Sequence, residues 1–377
     1  MSFVKKLLTT FFLLFLISNS VVSANVFLSN GDTLSLDNYE VNRLDISSEE
    51  NKPFGVAFNN DGTKMFMVGE GSGTDSTIDD IHEYVLSTPY DTSTATFRVG
   101  LNANGVTNRI LRQIQFNKDG SKMFVSGRVA TQNPNGNFIY QYSLSTNFDL
   151  STATYNGISF QANTANVGIT HSLYGFAFNN DGTMMFLSDG STDGESTEKV
   201  YQLSLETAFD LSGSITVIRS VDLETLEDDP AHQDFDGETE PSGIAFNEDG
   251  TRMFLIGQKG NDVNQYTLSI GFNISTASFD GGLNLDGNPN GIALSPSGLK
   301  MFTTNDTGIG DLIREFNLPC PFSLFAQGCS SITENKDRTG MALAQIEIAK
   351  RTIDHSTDTS LNRLKWIRRN KDKQNLS

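Results

Sequence analysis

Clusters of carboxylates in three long loops are the residues of this sequence best suited to chemistry. The last cluster lies in a stretch, Asp222 to Glu240, that holds nine Asp and Glu residues. Carboxylate oxygens are ligands that Ca²⁺ prefers, at about six to eight per ion. No Asp-x-Asp-x-Asp-Gly calcium loop accompanies them, so plain surface acidity is the alternative interpretation. The candidate Ca²⁺ ligands are Asp79, Asp80, Asp189, Asp193, Asp228 and Asp229.

The four histidines, His82, His171, His232 and His355, show no spacing typical of a metal site or a catalytic pair. We interpret them as surface histidines. A nucleophile elbow, a Gly-rich phosphate loop and a paired-acid motif are also missing from the sequence. The sequence therefore predicts no catalytic and no cofactor-binding residue, and it favours a protein without enzymatic activity.

Any site must be positioned by a sequence repeat, which occurs in five copies close to G-[IVF]-A-F-N-x-D-G-T-x-M-F. Their turn glycines lie 58, 62, 68 and 48 residues apart, a self-similarity typical of propellers and solenoids. The Asp before the glycine recurs in four copies, so we interpret Asp61, Asp119, Asp181 and Asp249 as turn formers. The copies are Gly55–Phe66, Gln113–Phe124, Gly175–Phe186, Gly243–Phe254 and Gly291–Phe302.

Each copy opens a unit of four strand-like runs. In four copies the first two are joined by Asp-Gly, a strong hairpin signal, and in the fifth by Ser297-Gly298; the third run alternates apolar and polar residues. Four antiparallel strands per unit predict an all-β chain that folds as a closed β-propeller of five four-stranded blades. The repeats lie near residues 53–99, 112–158, 173–218, 241–283 and 289–319.

The two ends of the repeat array complement each other. The last repeat stops at Pro319 without a fourth run, and an orphan strand, Tyr39–Ile46, precedes the first repeat. We predict that this strand completes the last blade, because closing the ring removes exposed sheet edges. The propeller would then occupy residues 25–319.

Small residues mark the first run of every blade except the second. Glycine and alanine alternate there with bulky residues, which suits a strand crowded against its neighbours at the axis. The second repeat has Gln113 and Gln115 in those positions. This places two amides near the central channel, and the sequence gives no function for them.

The charge distribution limits the partners. Residues 25–335 carry 15 basic and 40 acidic side chains, a field that repels phosphate backbones, so nucleic acid is not an expected partner. The loops between the second and third runs, and between one blade and the next, are long and irregular. Because variable loops on a rigid scaffold are where binding normally resides, we expect a protein or glycan ligand on that face, which we call the loop face.

The first residues predict export. Lys5 and Lys6 precede the apolar run Leu7–Ile17 and a small-x-small site ending at Ala24, the pattern of a signal peptide over residues 1–24. We therefore expect an extracellular, cell-surface or periplasmic bacterial protein. In an exported chain, Cys320 and Cys329 could form a local disulfide in a connector spanning 320–334, or remain two unpaired thiols.

The repeat resembles those of secreted bacterial β-propeller proteins of the lactonase/NHL-like type. The match rests on F-N-x-D-G-T-K-M-F followed by Y-x-L-S-T-x-[FY]-D-[LT]-S-T-A-[TS]-[FY], and it covers about residues 39–319. The resemblance is specific for the fold. It says little about activity.

The C-terminal segment resembles the linker that precedes the outer-membrane barrel of some autotransporter-like surface proteins. The matching residues are Ala342–Arg351 and Leu361–Asn370, although no barrel follows. Apolar residues at helical spacing with surrounding Lys and Arg predict a helical tail over 335–377. This tail could associate with the outer membrane or pack loosely on the acidic propeller, and the sequence leaves both alternatives open. We expect this tail to add little to propeller stability.

These features favour a secreted or cell-surface binding or adhesion module, in which the propeller could be the passenger part of an autotransporter-like protein. A metal-dependent, lactonase-like hydrolase and a structural surface component are the alternatives. The sequence does not name the ligand.

Overall fold

The computed structural model describes most of the predicted propeller. It covers residues 35–50, 52–70, 81–103, 110–128, 136–190, 198–227, 241–257, 260–306 and 311–326. Twenty strands lie in these ranges, together with one short helix, α1 (Leu223–Glu227), and a few single 3-10 turns. The predicted signal peptide and helical tail lie outside the described residues. In the described part, no helix is both long enough and apolar enough to span a bilayer.

The strands follow the four runs predicted for each repeat. They are β1 Glu40–Asp45, β2 Pro53–Phe58, β3 Lys64–Gly69, β4 Ile81–Leu86, β5 Ala95–Leu101, β6 Ile110–Phe116, β7 Lys122–Arg128, β8 Phe138–Leu144, β9 Ala153–Gln161, β10 Ser172–Phe178, β11 Met184–Gly190, β12 Lys199–Leu205, β13 Ile215–Asp222, β14 Pro241–Phe246, β15 Arg252–Gly257, β16 Asp262–Leu268, β17 Ala277–Asn284, β18 Asn288–Leu294, β19 Lys300–Asp306 and β20 Asp311–Asn317.

These strands form five antiparallel four-stranded sheets, which confirms the five-bladed β-propeller. Four sheets are sequential in the chain, and the fifth has the order β1-β20-β19-β18. We number the blades in chain order from the one that begins with β2. The inner strands β2, β6, β10, β14 and β18 pack against one another, and β18 of the fifth blade contacts β2 of the first.

The predicted role of Tyr39–Ile46 is confirmed. Strand β1 pairs with β20 from the other end of the array, with Leu44 opposite Ile313. Arg314, 2% exposed at its side chain, fixes this pairing, because it donates to the carboxylates of Asp37 and Glu40 and to the carbonyl of Asp286. The strand order and these bonds tie the two ends of the described chain together.

The Asx-Gly turns hold the inner hairpins as expected for turn formers. Asp61 accepts hydrogen bonds from the Thr63 N–H and hydroxyl at 3.0 and 2.6 Å, and Gly62 has φ of 72°. A Cβ on Gly62 would lie 2.2 Å from the Tyr90 ring, so only glycine fits beneath that ring. The same bonds recur at Asp119, Asp181 and Asp249, which confirms the interpretation of all four as turn residues.

Each outer turn also links its blade to the preceding one. The N–H of Leu150, for example, donates to the Glu83 carboxylate of the first blade at 2.8 Å. The fifth copy of this link is made by Leu324, which donates to Gln265. The repeat pattern thus continues into the segment predicted as a connector. Cys320 is buried there, while Cys329 lies outside the described residues, so the disulfide stays a prediction.

The inner strands approach one another closely enough to require glycine. A Cβ on Gly291 would lie 2.0 Å from the Phe54 carbonyl oxygen, and one on Gly175 would lie 3.1 Å from the Gly243 Cα. This confirms the interpretation of the small residues at the axis. The apolar cores lie between neighbouring blades, where side chains of adjacent sheets interdigitate.

Candidate functional site

A β-bulge near the start of every inner strand re-aims one side chain at the loop-face end of the axis. In the first four blades the pairing register shifts by one residue, and in the fifth it shifts between Pro289 and Ile292. Bulges locally twist a strand and commonly redirect a side chain beside a functional site. The residues at these positions are all buried, and we call them the bulge ring. They are Phe54, Arg112, Tyr174, Ser242 and Asn290.

Neighbouring members of this bulge ring touch across the blades. Asn290 donates from Nδ2 to the Pro53 carbonyl at 3.2 Å, next to the Phe54 position. The Arg112 guanidinium carbon lies 3.9 Å from the centre of the Phe54 ring and 5.0 Å from that of Tyr174. Arg112 is thus the one charged residue among the five, held between two aromatic rings by cation–π contacts.

A second guanidinium lies beside the first. Arg128 ends strand β7, and its guanidinium carbon is 5.6 Å from the centre of the Tyr174 ring. Its Nη1 donates to the Ser172 hydroxyl at 2.9 Å, while its buried Nε has no hydrogen-bond partner in the described part of the chain. Two arginines against one tyrosine form a local cationic site in a strongly acidic protein.

Strands β6 and β7 of the second blade carry polar side chains at positions where the other blades have hydrogen-bonded or apolar residues. Gln113 is fully buried opposite Ser126, and neither its amide nor the Ser126 hydroxyl has a hydrogen-bond partner within the described ranges. In the third blade the equivalent Ser188 accepts from the Gly175 N–H and donates to the Pro241 carbonyl, each at 2.8 Å. The second blade therefore carries unsatisfied polar groups on the same two strands as Arg112 and Arg128.

Replacing Gln113 with glycine, the residue of the other four repeats, is expected to stabilise the protein. A buried unpaired polar group costs about 1–3 kcal/mol, whereas the added backbone freedom of glycine costs about 0.5–1 kcal/mol. We expect Gln113→Gly to raise the free energy of unfolding in urea by roughly 1 kcal/mol. A matched Gln161→Gly at the end of outer strand β9 should lower it. A destabilised Gln113→Gly would contradict the prediction and show that filling the space outweighs the unpaired amide.

Asp189 is the only calcium candidate within the described residues. Its side chain is buried, with Oδ2 accepting from the Thr170 N–H at 3.2 Å and Oδ1 lacking a partner among them. Burial raises the pKa of this carboxyl to about 6, against the opposing effects of the Thr170 hydrogen bond and of His171. The other five candidates, Asp79, Asp80, Asp193, Asp228 and Asp229, lie outside the described residues.

The raised pKa of Asp189 predicts a pH-dependent stability. The unfolded chain ionises this carboxyl near pH 4, and the folded protein holds the proton until about pH 6. The folded state binds more protons in that window, so stability falls as the pH rises through it, by up to about 1.4 kcal/mol per pH unit. Asp189→Asn should flatten this part of the profile in urea titrations. Parallel profiles for the two proteins would contradict the prediction.

The described histidines lie in different blades and form no common site. His82 is buried in β4, with Nε2 3.7 Å from Oε2 of the buried Glu50, so its interpretation as a surface residue was wrong. Glu50 and Phe97, which are distant from His82 in the sequence, pack against it, and local sequence does not reveal these contacts. His171 lies beside the Thr170 hydroxyl, with Nδ1 3.0 Å from Oγ1. His232 and His355 lie outside the described residues.

The described residues contain no group of three or more His, Cys, Asp or Glu side chains arranged to hold a metal ion. Calcium binding therefore stays an untested expectation. The cationic pair was missed from the sequence, because Arg112 and Arg128 stand 16 positions apart in no known motif. The signal that pointed to this blade was the departure at Gln113 and Gln115.

Comparison with known proteins assigns the chain to no family. No protein-family model matches the chain, and no curated protein is detectably similar. Similar solved structures include a protein of unknown function from Desulfotomaculum acetoxidans, 12% identical with a TM-score of 0.35, aligned over 71% of this chain and 65% of that one. A candidate 6-phosphogluconolactonase from Bacteroides uniformis is 16% identical with a TM-score of 0.38, over 70% and 67%. Hydrazine synthase of Kuenenia stuttgartiensis is 10% identical with a TM-score of 0.35, over 69% and 70%.

Proposed function

We propose that this protein is a binding module in which Arg112 and Arg128 hold a carboxylate of a small ligand at the loop-face end of the propeller axis. The observation that carries the proposal is the pair of guanidiniums packed against Tyr174, one with a buried and unpartnered Nε. A buried polar atom without a partner in a native fold calls for an explanation, and a ligand oxygen supplies one.

The chemistry of the two side chains favours a carboxylate. Guanidinium is a planar, permanently charged donor that bonds carboxylate oxygens in pairs, and aromatic contacts hold both groups in place before the ligand arrives. The acidic surroundings repel extended polyanions, so a ligand with a single carboxylate is favoured. Both arginines lie at the loop face: Arg112 follows the connection from the first blade, and Arg128 ends β7. This agrees with the face expected from loop variability.

The wider setting forms part of the same proposal. We infer that pairing of β1 with β20 closes the ring, so that the bulge ring keeps its geometry without an open sheet edge. We further propose that the module is exported and displayed at the cell surface, with the C-terminal segment as a helical linker of the autotransporter type and Cys320 bridged to Cys329. The signal-like first 24 residues and the basic tail support this part.

A lactonase-like hydrolase is the rival function, because one structural observation favours it. Asp189, with a pKa raised to about 6, lies at the same end of the blade as Ser172, which holds Arg128. A carboxyl that titrates near neutrality is suited to general acid–base catalysis. A purely structural surface component remains the third function, and it requires neither a ligand nor turnover.

Calorimetric titration distinguishes these functions. Lactate, gluconate and N-acetylglutamate are titrated into the full-length protein, with lactamide as the uncharged match of lactate, and gluconolactone hydrolysis is followed by proton release. We expect heat of binding from at least one carboxylate, weakened by salt as for a charge pair, and none from lactamide. Lactone turnover that is lost in Asp189→Asn would support the hydrolase. No binding by any carboxylate would reject the proposed function.

A further inference from the structure

A cavity lies at the opposite end of the axis from Arg112. It has a volume of about 270 Å³ and is lined by the ends of all five inner strands and by the Asx-Gly turns that follow them. The inner strands begin at the bulge ring and end at this cavity, so the two are separated by the length of a strand. We call this cavity the turn-face cup. It is a site distinct from the cationic pair.

The inner strands contribute apolar side chains and one polar side chain, Gln115, to the cup, while polar side chains of the turns surround its opening. The residue five positions before the turn glycine is alanine in four blades and Gln115 in the second. Gln115 is half-buried and lines the cup together with the four alanines. The next residue of each strand supplies the apolar wall; these residues are Phe58, Phe116, Phe178, Phe246 and Leu294.

Amides and carbonyls form the rim of the cup. Asn60 donates from Nδ2 to the Lys118 carbonyl of the second blade at 2.7 Å, and Asn180 donates in the same way to the Glu248 carbonyl of the fourth. These bonds fix the turns around the opening. Lys118, an exposed rim residue, is the one charged side chain of the lining. The interior of the cup therefore offers uncharged hydrogen bonding above apolar surface.

We propose that the turn-face cup binds a neutral hexose through Gln115. An amide presents both a donor and an acceptor, which matches a hydroxyl group that does the same. The apolar wall suits the C–H faces of a pyranose ring, and a charged ligand would lose its hydration in the cup without a counter-charge at the floor. Ligand pockets for drug-sized molecules start near about 300 Å³, so a single sugar ring fits this volume.

Glutamine at this position is not required by the fold, which makes the test direct. Four blades carry alanine in the same place, so Gln115→Ala restores the repeat pattern and should leave the melting temperature unchanged. Gln115→Leu keeps the volume of the side chain and removes only its hydrogen bonding. Arg112→Gln, at the other end of the axis, is the control that separates the hexose site from the carboxylate site.

Saturation-transfer NMR and calorimetry with glucose, galactose, mannose and N-acetylglucosamine measure the binding. We expect at least one sugar to bind the full-length protein, about tenfold weaker binding or none in Gln115→Ala and Gln115→Leu, and unchanged binding in Arg112→Gln. If none of the four sugars binds, or if binding survives both Gln115 substitutions, the inference is wrong. Loss of sugar binding in Arg112→Gln alone would place the sugar at the loop face and overturn it as well.

Discussion

Replacing Arg314 with leucine is expected to lower the free energy of unfolding by about 3–5 kcal/mol, the usual cost of removing one partner of a buried ion pair. Arg314 is buried between β1 and the end of the array, where it donates to Asp37 and Glu40. Leucine would remove the guanidinium that the two carboxylates share and one of the two donors to the Asp286 carbonyl, and Glu40 would keep only the exposed Arg43 as a counter-charge. The loss should be seen as a lower midpoint in urea denaturation and as earlier release of β1 in hydrogen exchange.

Arg43→Leu is the matched control. Arg43 also bonds Glu40, but its side chain is 58% exposed. Exposed ion pairs contribute about 0–1 kcal/mol, so this variant should unfold close to the wild type. Equal effects of the two substitutions would mean that the pairing of β1 does not hold the last blade together.

Arg112→Gln is expected to weaken carboxylate binding by about 10- to 100-fold. A hydrogen bond to a charged group contributes about 1.5–3 kcal/mol, and each 1.4 kcal/mol is a factor of about ten in affinity. Arg128→Gln should act in the same direction, and Arg112→Lys should fall between, because lysine keeps the charge without the bidentate geometry. Calorimetric titration with the carboxylate series measures each dissociation constant.

Arg43→Gln controls for the loss of one positive charge from the acidic protein, and we expect it to bind as the wild type does. The melting temperature of Arg112→Gln must be recorded alongside, since the cation–π contacts with Phe54 and Tyr174 also contribute to stability. A full-affinity Arg112→Gln protein would place the carboxylate elsewhere.

Much of the fold could be predicted because its signals are local and repeated. A tight turn with glycine fixes each inner hairpin, with Asp before the glycine in four copies and Ser297 in the fifth, so five copies of the turn reveal five blades. The orphan strand Tyr39–Ile46 could be matched to the last blade because one strand was surplus and one was lacking. The fifth outer turn was not recognised beyond Pro319, because Phe322 and Leu324 keep the spacing of the other blades while Ser323 stands where those blades have Asp or Asn.

The candidate site could be predicted only in part, because it depends on contacts between blades. The five bulge positions share no residue type, so no pattern in the sequence joins Arg112 to Phe54 and Tyr174. Carboxylates were easy to find by composition, yet composition does not tell a buried Asp189 from a solvated one. Gln113 and Gln115 were visible as departures, and only the packing shows that one is buried without partners and the other lines a cavity.

The most direct test of the central claim is the arginine side-chain Nε–Hε NMR spectrum of the full-length protein, recorded while lactate, gluconate and N-acetylglutamate are added in turn. The signals of Arg112 and Arg128 are assigned by their absence in the two glutamine variants. We predict that both move with a ligand that binds, with Arg128 moving most because its Nε gains a partner, while Arg43 and Arg314 stay in place. If the Arg112 and Arg128 signals remain unchanged at ligand saturation, the carboxylate site is not formed by this pair.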